Sequence, residues 1–598
     1  MTNPSASLLA NTEYRVTIPA SEPAQPGRKT RSTHHLGQVM TTRREVLQLS
    51  ALGALGLARI NRGTRIVSSA TDGQLATQNT PVPYAGIFRR PPELKPYATG
   101  LDGGDPARPF ARFALTQQLG QDHFVPGLST TVAGYNGIFP GPTIRASQGT
   151  RVEVRIRNGF PAATGLLLPG GIDTVTHLHG SASLPQYDGY ANDITAPGFV
   201  KTYHYPNTQT ARTLWYHDHA HHITAQNVYS GLAAFYPLTD RFEQAQLPQG
   251  EFDVPLMVSD ALFNADGSLG FDDNDTKGLW GDIILVNGVA WPTMRVKPRI
   301  YRFRVLIASI SRSYRPTLSN GDPIYIVGTD AGMAPIVQAV PSWRQGTAER
   351  YEILIDFRKY KVGQTVELRN LSNKNNIEFA NTNKIMRFQV VADSGPASTF
   401  TTIPTRLDNG GAVNASRGGI DTMSLTPDMA VAKRELKFER KHGLWTVNGV
   451  TWDDVEASGF TKLFANPQPF DVEQWTITNE SGGWFHPVHI HLVDGKIIAR
   501  NTNGGKPFAW ENGPKDTYYA GENESITALM QFDTQPNGEG KYMIHCHNLV
   551  HEDHDMMVQF SAGNPASNDP VASDPPVFDT TPVGSFPPEY LPGFPAGT

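Results

Sequence analysis

One cysteine occurs in 598 residues, and it is set in His545-Cys546-His547-Asn548-Leu549-Val550-His551-Glu552-Asp553-His554-Asp555-Met556-Met557. A lone cysteine forms no intramolecular disulfide, so oxidative stapling is not its purpose. Three more elements space histidines in twos: Thr176-His177-Leu178-His179-Gly180, Trp215-Tyr216-His217-Asp218-His219 and Trp484-Phe485-His486-Pro487-Val488-His489-Ile490-His491. A spacing of two is the period of a β-strand, in which side chains i and i+2 share a face and the one between points the other way. The chain must therefore fold so that four strand-like segments present imidazoles.

That geometry separates two sites. His545 and His547 project together, and Cys546 projects opposite them. His489 and His491 share a face, while His486, an odd number of residues away, can serve the other side. A thiolate, two histidines and a methionine make up the donor set of a blue-copper centre, two His and one Cys with a weak axial Met. One strand would then serve two metal sites, joined by a few covalent bonds.

A single His-X-His is commonly just two polar residues on the wet face of a strand. Here eleven of 18 histidines fall in the four elements, and all but His554 make up the candidate set: His177, His179, His217, His219, His486, His489, His491, His545, His547 and His551. One pair brackets the only cysteine. That arrangement reads as a ligand set. The other eight (His34, His35, His123, His204, His221, His222, His442 and His554) share no pattern.

With these residues in place the chain resembles the multicopper oxidases. All four copper-binding motifs of that family occur in order, and the likeness runs from about Gly134 to Phe560. The segments Trp215 to Asn227, Ala348 to Asn370 and Gly482 to Val493 are most similar to its bilirubin-oxidase and spore-coat-laccase branch. The resemblance implies four copper ions. His486, Cys546 and His551 would hold the type 1 copper, with Met556 axial. His177 and His489 would hold the type 2 copper. His179, His217 and His547 would hold one type 3 copper, and His219, His491 and His545 the other. Glu552 and Asp188 match the family's proton-relay acids. Asp218, between two ligands, faces away from them and reads as a supporting group, and His554 is left unassigned.

Composition agrees with an all-β chain of three cupredoxin-like Greek-key sandwiches or barrels. Gly (56) and Pro (46) are abundant, charged residues make up 18%, and Arg151-Val-Glu-Val-Arg-Ile-Arg157 alternates in period two. The steps Asn136-Gly137, Asn287-Gly288 and Asn448-Gly449 recur 151 and 161 residues apart, each in a similar context, as three copies of one sandwich would give. The expected layout is an export signal and extension over 1–75, domains over 80–245, 250–395 and 433–562, and a linker over 396–432. The last lies in the Ser-, Thr-, Pro- and Gly-rich stretch from about Asp393 to Ala432. A Pro-rich tail, extended or poorly ordered, occupies 563–598. Ligands occur in the first and third copies, so the trinuclear cluster is expected between them, with the second as a spacer.

Thr42-Arg43-Arg44-Glu45-Val46-Leu47, followed by the apolar run to Ala58, resembles a twin-arginine export signal. Met40 is expected to be the physiological start. A periplasmic, cell-surface or extracellular bacterial location follows from that reading. The apolar run is too short to span a membrane, so no stable membrane insertion is expected. A net charge of −5 gives no basic footprint for nucleic acid.

The resemblance implies that a small aromatic reductant gives up single electrons at the exposed edge of His486, that Cys546 passes them on, and that O2 is reduced to water. Only 12 methionines occur, with no Met-rich run. Soft thioethers select Cu(I), so phenols, aromatic amines or tetrapyrroles are the expected donors. A Cu(I) or Mn(II) oxidase is the alternative, and a non-enzymatic scaffold with the same fold a remote one. Trp484 could flank the donor or belong to the core. The chain is expected to act as a monomer.

Overall fold

The computed structural model describes residues 67–69, 75–161, 172–396, 398–409, 419–534, 538–564 and 574–578. The twin-arginine segment at 42–58 lies outside the described residues, as do 410–418 of the expected linker and most of the tail. Every described residue falls in one compact unit that begins at Gly63.

Alternation in the sequence becomes alternation of burial. Strand Arg151–Asn158 buries every second residue, so Val152, Val154, Ile156 and Asn158 point inward and the arginines outward. Among the described residues the strands form six sheets. They group along the chain as three consecutive pairs. The first pair is built on Pro109–Asp122 and Arg212–Asp218, the second on Asp253–Phe263 and Lys384–Val390, and the third on Ala432–Lys441 and Gly540–Cys546.

The three pairs share one wiring. Pro109–Asp122 runs parallel to Arg151–Asn158, which pairs antiparallel with Phe199–Tyr205. Asp253–Phe263, Ile300–Ile307 and Arg350–Asp356 repeat that order, and so do Ala432–Lys441, Val472–Asn479 and Ser525–Gln531. The Asn-Gly steps repeat as well. In all three, both residues have positive φ, from 49° to 74°, a conformation that Asn and Gly tolerate better than other residues. Each Asn Oδ1 accepts the backbone N–H of a residue on the leading strand: Thr116 at 3.0 Å, Met257 at 2.8 Å and Lys437 at 2.6 Å. The faint repeat in the sequence is thus a structural one.

The third block packs its core around Trp475, which touches Phe464, Phe532 and Phe560. Cys546 and Met556 belong to that same apolar cluster. Residues of the tail return to the first block. Val577–Phe578 pairs antiparallel with Phe199 and Val200, and the Phe578 ring meets Phe199 edge-on. At this point the tail is extended, as expected, but it is attached. Among the described residues no helix is long and apolar enough to cross a membrane.

Candidate metal centre

Two strands of the third block carry most of the site. His486–Ile490 pairs with Gly540–Cys546 so that Val488 faces Cys546 and His489 faces His545. In the first block, Thr176–His179 pairs with Arg212–Asp218 and sets His177 opposite His217. His219, His491 and His547 each sit one residue beyond a strand end. His551 lies on the short helix Leu549–Asp553, which folds back beside Cys546.

On one side of the third-block sheet, His486, Cys546 and His551 converge. Cys546 Sγ is 3.2 Å from His486 Nδ1 and 3.7 Å from His551 Nδ1, and the two Nδ1 atoms are 3.3 Å apart. Both rings are oriented from behind. Nε2 of His486 donates to Ser481 Oγ (2.8 Å), and Nε2 of His551 donates to the Lys277 carbonyl (2.9 Å). Each Nδ1 therefore keeps its lone pair toward the sulfur. Trp445 stacks on His551 with ring centres 3.8 Å apart. Burial pushes the Cys546 thiol well above its ordinary range, so a metal taking the thiolate must drive off a proton. The backbone of Met556 lies alongside, its carbonyl accepting the Cys546 N–H at 3.1 Å.

On the other side eight imidazoles meet: four from the first block (His177, His179, His217, His219) and four from the third (His489, His491, His545, His547). The middle block contributes none. His177 stacks on His491 and His179 on His489, with ring centres 4.0 and 3.6 Å apart. His545 Nε2 lies 3.2 Å from His219 Nε2 and 3.1 Å from His491 Nε2. Nδ1 of His177, His217 and His489 donates to the carbonyls of Asp188, Asp218 and Asp516, at 2.7 Å for His217 and 2.9 Å for His489. Those bonds fix the tautomer and turn each Nε2 lone pair inward. These three Nε2 atoms, and both ring nitrogens of His547, are buried with no hydrogen-bond partner in the protein. A buried polar atom left unpaired costs about 1–3 kcal/mol, so the cluster is organised for something that accepts lone pairs. Burial holds His489 down at about 3 and His219 at about 4, so these two imidazoles rest neutral, as metal binding requires.

Both expected relay acids are at the cluster. Glu552 is 2% exposed and reaches His545 Nδ1 with Oε2 at 3.1 Å and His219 Nδ1 with Oε1 at 3.4 Å. Burial would raise it, but these two imidazoles more than offset that and draw it down to about 2. Asp188 Oδ2 meets His491 Nδ1 at 2.7 Å, and burial pushes this carboxyl well above its usual range. Asp218 does face away. Its carboxylate accepts Val175 N, Ala220 N and Asn227 Nδ2 at 2.7–3.0 Å and holds the backbone around the ligands.

Several expectations need correction or completion. His486 has no exposed edge: it is completely buried, covered by Ser481, Trp445 and Phe438. Trp484 is half-buried, edge-on to Trp445 and near His551, between the two roles considered for it. His554 points to Asp273 at 3.4 Å, away from the sulfur. Asp516 had no sequence signal, yet it lies 3.2 Å from His179 Nε2, and its carbonyl orients His489. Asp516 is in turn clamped by Arg350 of the middle block, whose Nη1 donates to Oδ1 at 2.7 Å. Burial would raise Asp516, but Arg350 outweighs it and holds the acid at about 2. The middle block is thus a brace as well as a spacer.

The same segments match known proteins. Residues 118–241 and 427–566 each match a family model described as multicopper oxidase. The chain is 39% identical to the bilirubin oxidase of Albifimbria verrucaria over 450 residues, 73% of each chain. It is 34% identical to a laccase of Bacillus stratosphericus over 480 residues, covering 71% of this chain and 89% of that one. The crystal structure of McoA multicopper oxidase from the hyperthermophile Aquifex aeolicus superposes with a TM-score of 0.69 at 26% identity, over 81% of this chain and all of that one. A sulfur-centred trio, an eight-imidazole cluster and this degree of likeness agree: the chain belongs to the multicopper oxidase family.

Proposed function

We propose that the chain is a four-copper oxidase that draws single electrons from small aromatic donors (phenols, aromatic amines or tetrapyrroles) and passes them to O2. The observation that carries this reading is Cys546 itself. Its sulfur meets His486 and His551 on one side of the strand, while its covalent neighbours His545 and His547 enter the imidazole cluster on the other.

The donor sets fit copper. Thiolate with two imidazole Nδ1 atoms suits a blue-copper site, to which Met556 would add a thioether. His177 and His489 would hold a second ion, His179, His217 and His547 a third, and His219, His491 and His545 a fourth. Bound there, copper supplies one-electron oxidation of the donor and four-electron reduction of O2 to water. The protein's part is positional. The carbonyls of Asp188, Asp218 and Asp516 aim imidazoles, and Ser481 and Lys277 aim the two at the sulfur. Cys546 joins the two ligand groups through a few bonds of one strand. Glu552 and Asp188, in contact with His545, His219 and His491, would move the protons.

The ligand count predicts four copper ions per chain in fully loaded, blue protein, measured by elemental analysis. One or two in an active sample would remove the cluster assignment. Stripping the copper should also lower the thermal midpoint, because the inward ring nitrogens would then be buried without partners.

Similarity to a bilirubin oxidase and to laccases, together with the absence of a Met-rich run, supports aromatic donors. Oxygen uptake with a phenol, bilirubin, Cu(I) and Mn(II) side by side is the test. The aromatic donors are expected to give the highest kcat/KM, and a metal ion turning over faster than both would overturn the substrate class. Because His486 is covered, a donor would not touch the imidazole directly.

A further inference from the structure

His221 and His222 fit no pattern in the sequence, yet the fold brings them together. The left-handed backbone at His222, with φ of 68°, leaves the two imidazoles with ring centres 3.3 Å apart. Two carboxylates of the third block close on them. Asp555 Oδ1 lies 3.4 Å from His221 Nε2, and Asp453 Oδ1 lies 3.8 Å from His222 Nε2. One ligand atom from each of the four residues lies within 4.8 Å of the others.

The other nitrogen of each ring is held from outside. His221 Nδ1 is 2.9 Å from Glu456 Oε1, which also accepts Asn192 Nδ2 at 2.6 Å. His222 Nδ1 donates to the Asp553 carbonyl at 3.1 Å. With both Nδ1–H groups directed outward, both Nε2 lone pairs face the aspartates. A cation standing between them would be met by both rings and both carboxylates. The His221 side chain is only 6% exposed, and its Nε2 has no hydrogen-bond partner.

We infer that His221, His222, Asp453 and Asp555 form a further metal site for a divalent transition ion of the zinc or copper(II) class, separate from the cysteine trio and the imidazole cluster. Two imidazole nitrogens and two carboxylate oxygens are a donor set such ions accept. Ligands bound tetrahedrally at about 2.0–2.1 Å stand roughly 3.3 Å apart, close to the His221–Asp555 separation. Glu456 behind His221 is the carboxylate that commonly backs a metal-bound histidine. An entry path exists, since the Asp453 side chain is 52% exposed. Asp453 sits in the first turn of Trp452–Ala457, a helix held by a capping box at Thr451. The ion would therefore tie the turn after His219 to two fixed points of the third block, clipping together the two halves of the imidazole cluster.

The test titrates zinc into fully copper-loaded holoenzyme, so that zinc cannot enter the copper ligand sets. One zinc per chain is expected to bind and to raise the thermal midpoint. Glu456→Gln should weaken zinc binding about 10–100-fold, and Asp453→Ala by at least about tenfold, with copper content and blue absorbance unchanged. Asp453 is half-exposed, so its replacement tests the site without burdening the fold. No zinc uptake by the holoenzyme, or uptake by Asp453→Ala with wild-type affinity, overturns the inference.

Discussion

Cys546→Ser is expected to abolish the blue absorbance and reduce oxidase turnover to background, while copper remains at the eight-imidazole cluster. The change removes one atom's softness and little volume. Sγ is fully buried between His486 Nδ1 and His551 Nδ1, so a serine oxygen would occupy nearly the same place. A hydroxyl is a hard donor that gives up its proton far less readily than a thiol, and the intense colour requires a copper–thiolate bond. The imidazoles of the cluster come from four strand ends, and the two on this strand, His545 and His547, project from the face opposite Cys546 and keep their side chains. Elemental analysis and visible spectroscopy on one sample separate the two sites. A variant that stayed blue would exclude Cys546 as a ligand, and one that lost all copper would show that the two sites do not load independently.

The histidine clusters and their split around Cys546 were legible in the sequence because strand periodicity is a local property. His545 and His547 flank Cys546, and a period of two leaves no choice about which faces they take. His486, three residues before His489, falls on the sulfur's side for the same reason. What the sequence did not reveal depends on pairing between distant segments. Asp516 acquires its role from Arg350, 166 residues away, and neither residue carries a motif. The exposure assigned to His486 failed because cover is a tertiary property: Trp445 and Phe438 arrive from another sheet. His221 and His222 share no pattern with the other histidines in the sequence, and it is the turn with left-handed backbone at His222 that sets their rings together. The Asn-Gly repeat was readable because turn chemistry is also local. The attachment of Val577–Phe578 to the first block was not.

Dependence on proton delivery separates the two halves of the reaction. Glu552→Gln should leave reduction of the blue site by donor nearly normal and slow reoxidation by O2 by roughly 10²-fold or more, the scale for losing a positioned acid–base group. Glutamine keeps the size of Glu552 and can still accept from His545, whose Nδ1 stands 3.1 Å from the present carboxylate. It cannot exchange a proton at ordinary pH. Glu552 is 2% exposed, so bulk water is poorly placed to replace it. The Cys546 trio is on the other face of the strand and needs no proton from this side when a donor reduces it. Copper content should not change. Asp188→Asn is expected to act in the same direction through His491, with some loosening of His177 if the new amide disturbs the Asp188 carbonyl that orients that ring. Stopped-flow reduction under argon followed by mixing with O2 resolves the two steps. Reoxidation at the wild-type rate in Glu552→Gln would reduce Glu552 to an orienting group for His545 and His219, and would leave Asp188 as the acid nearest the cluster.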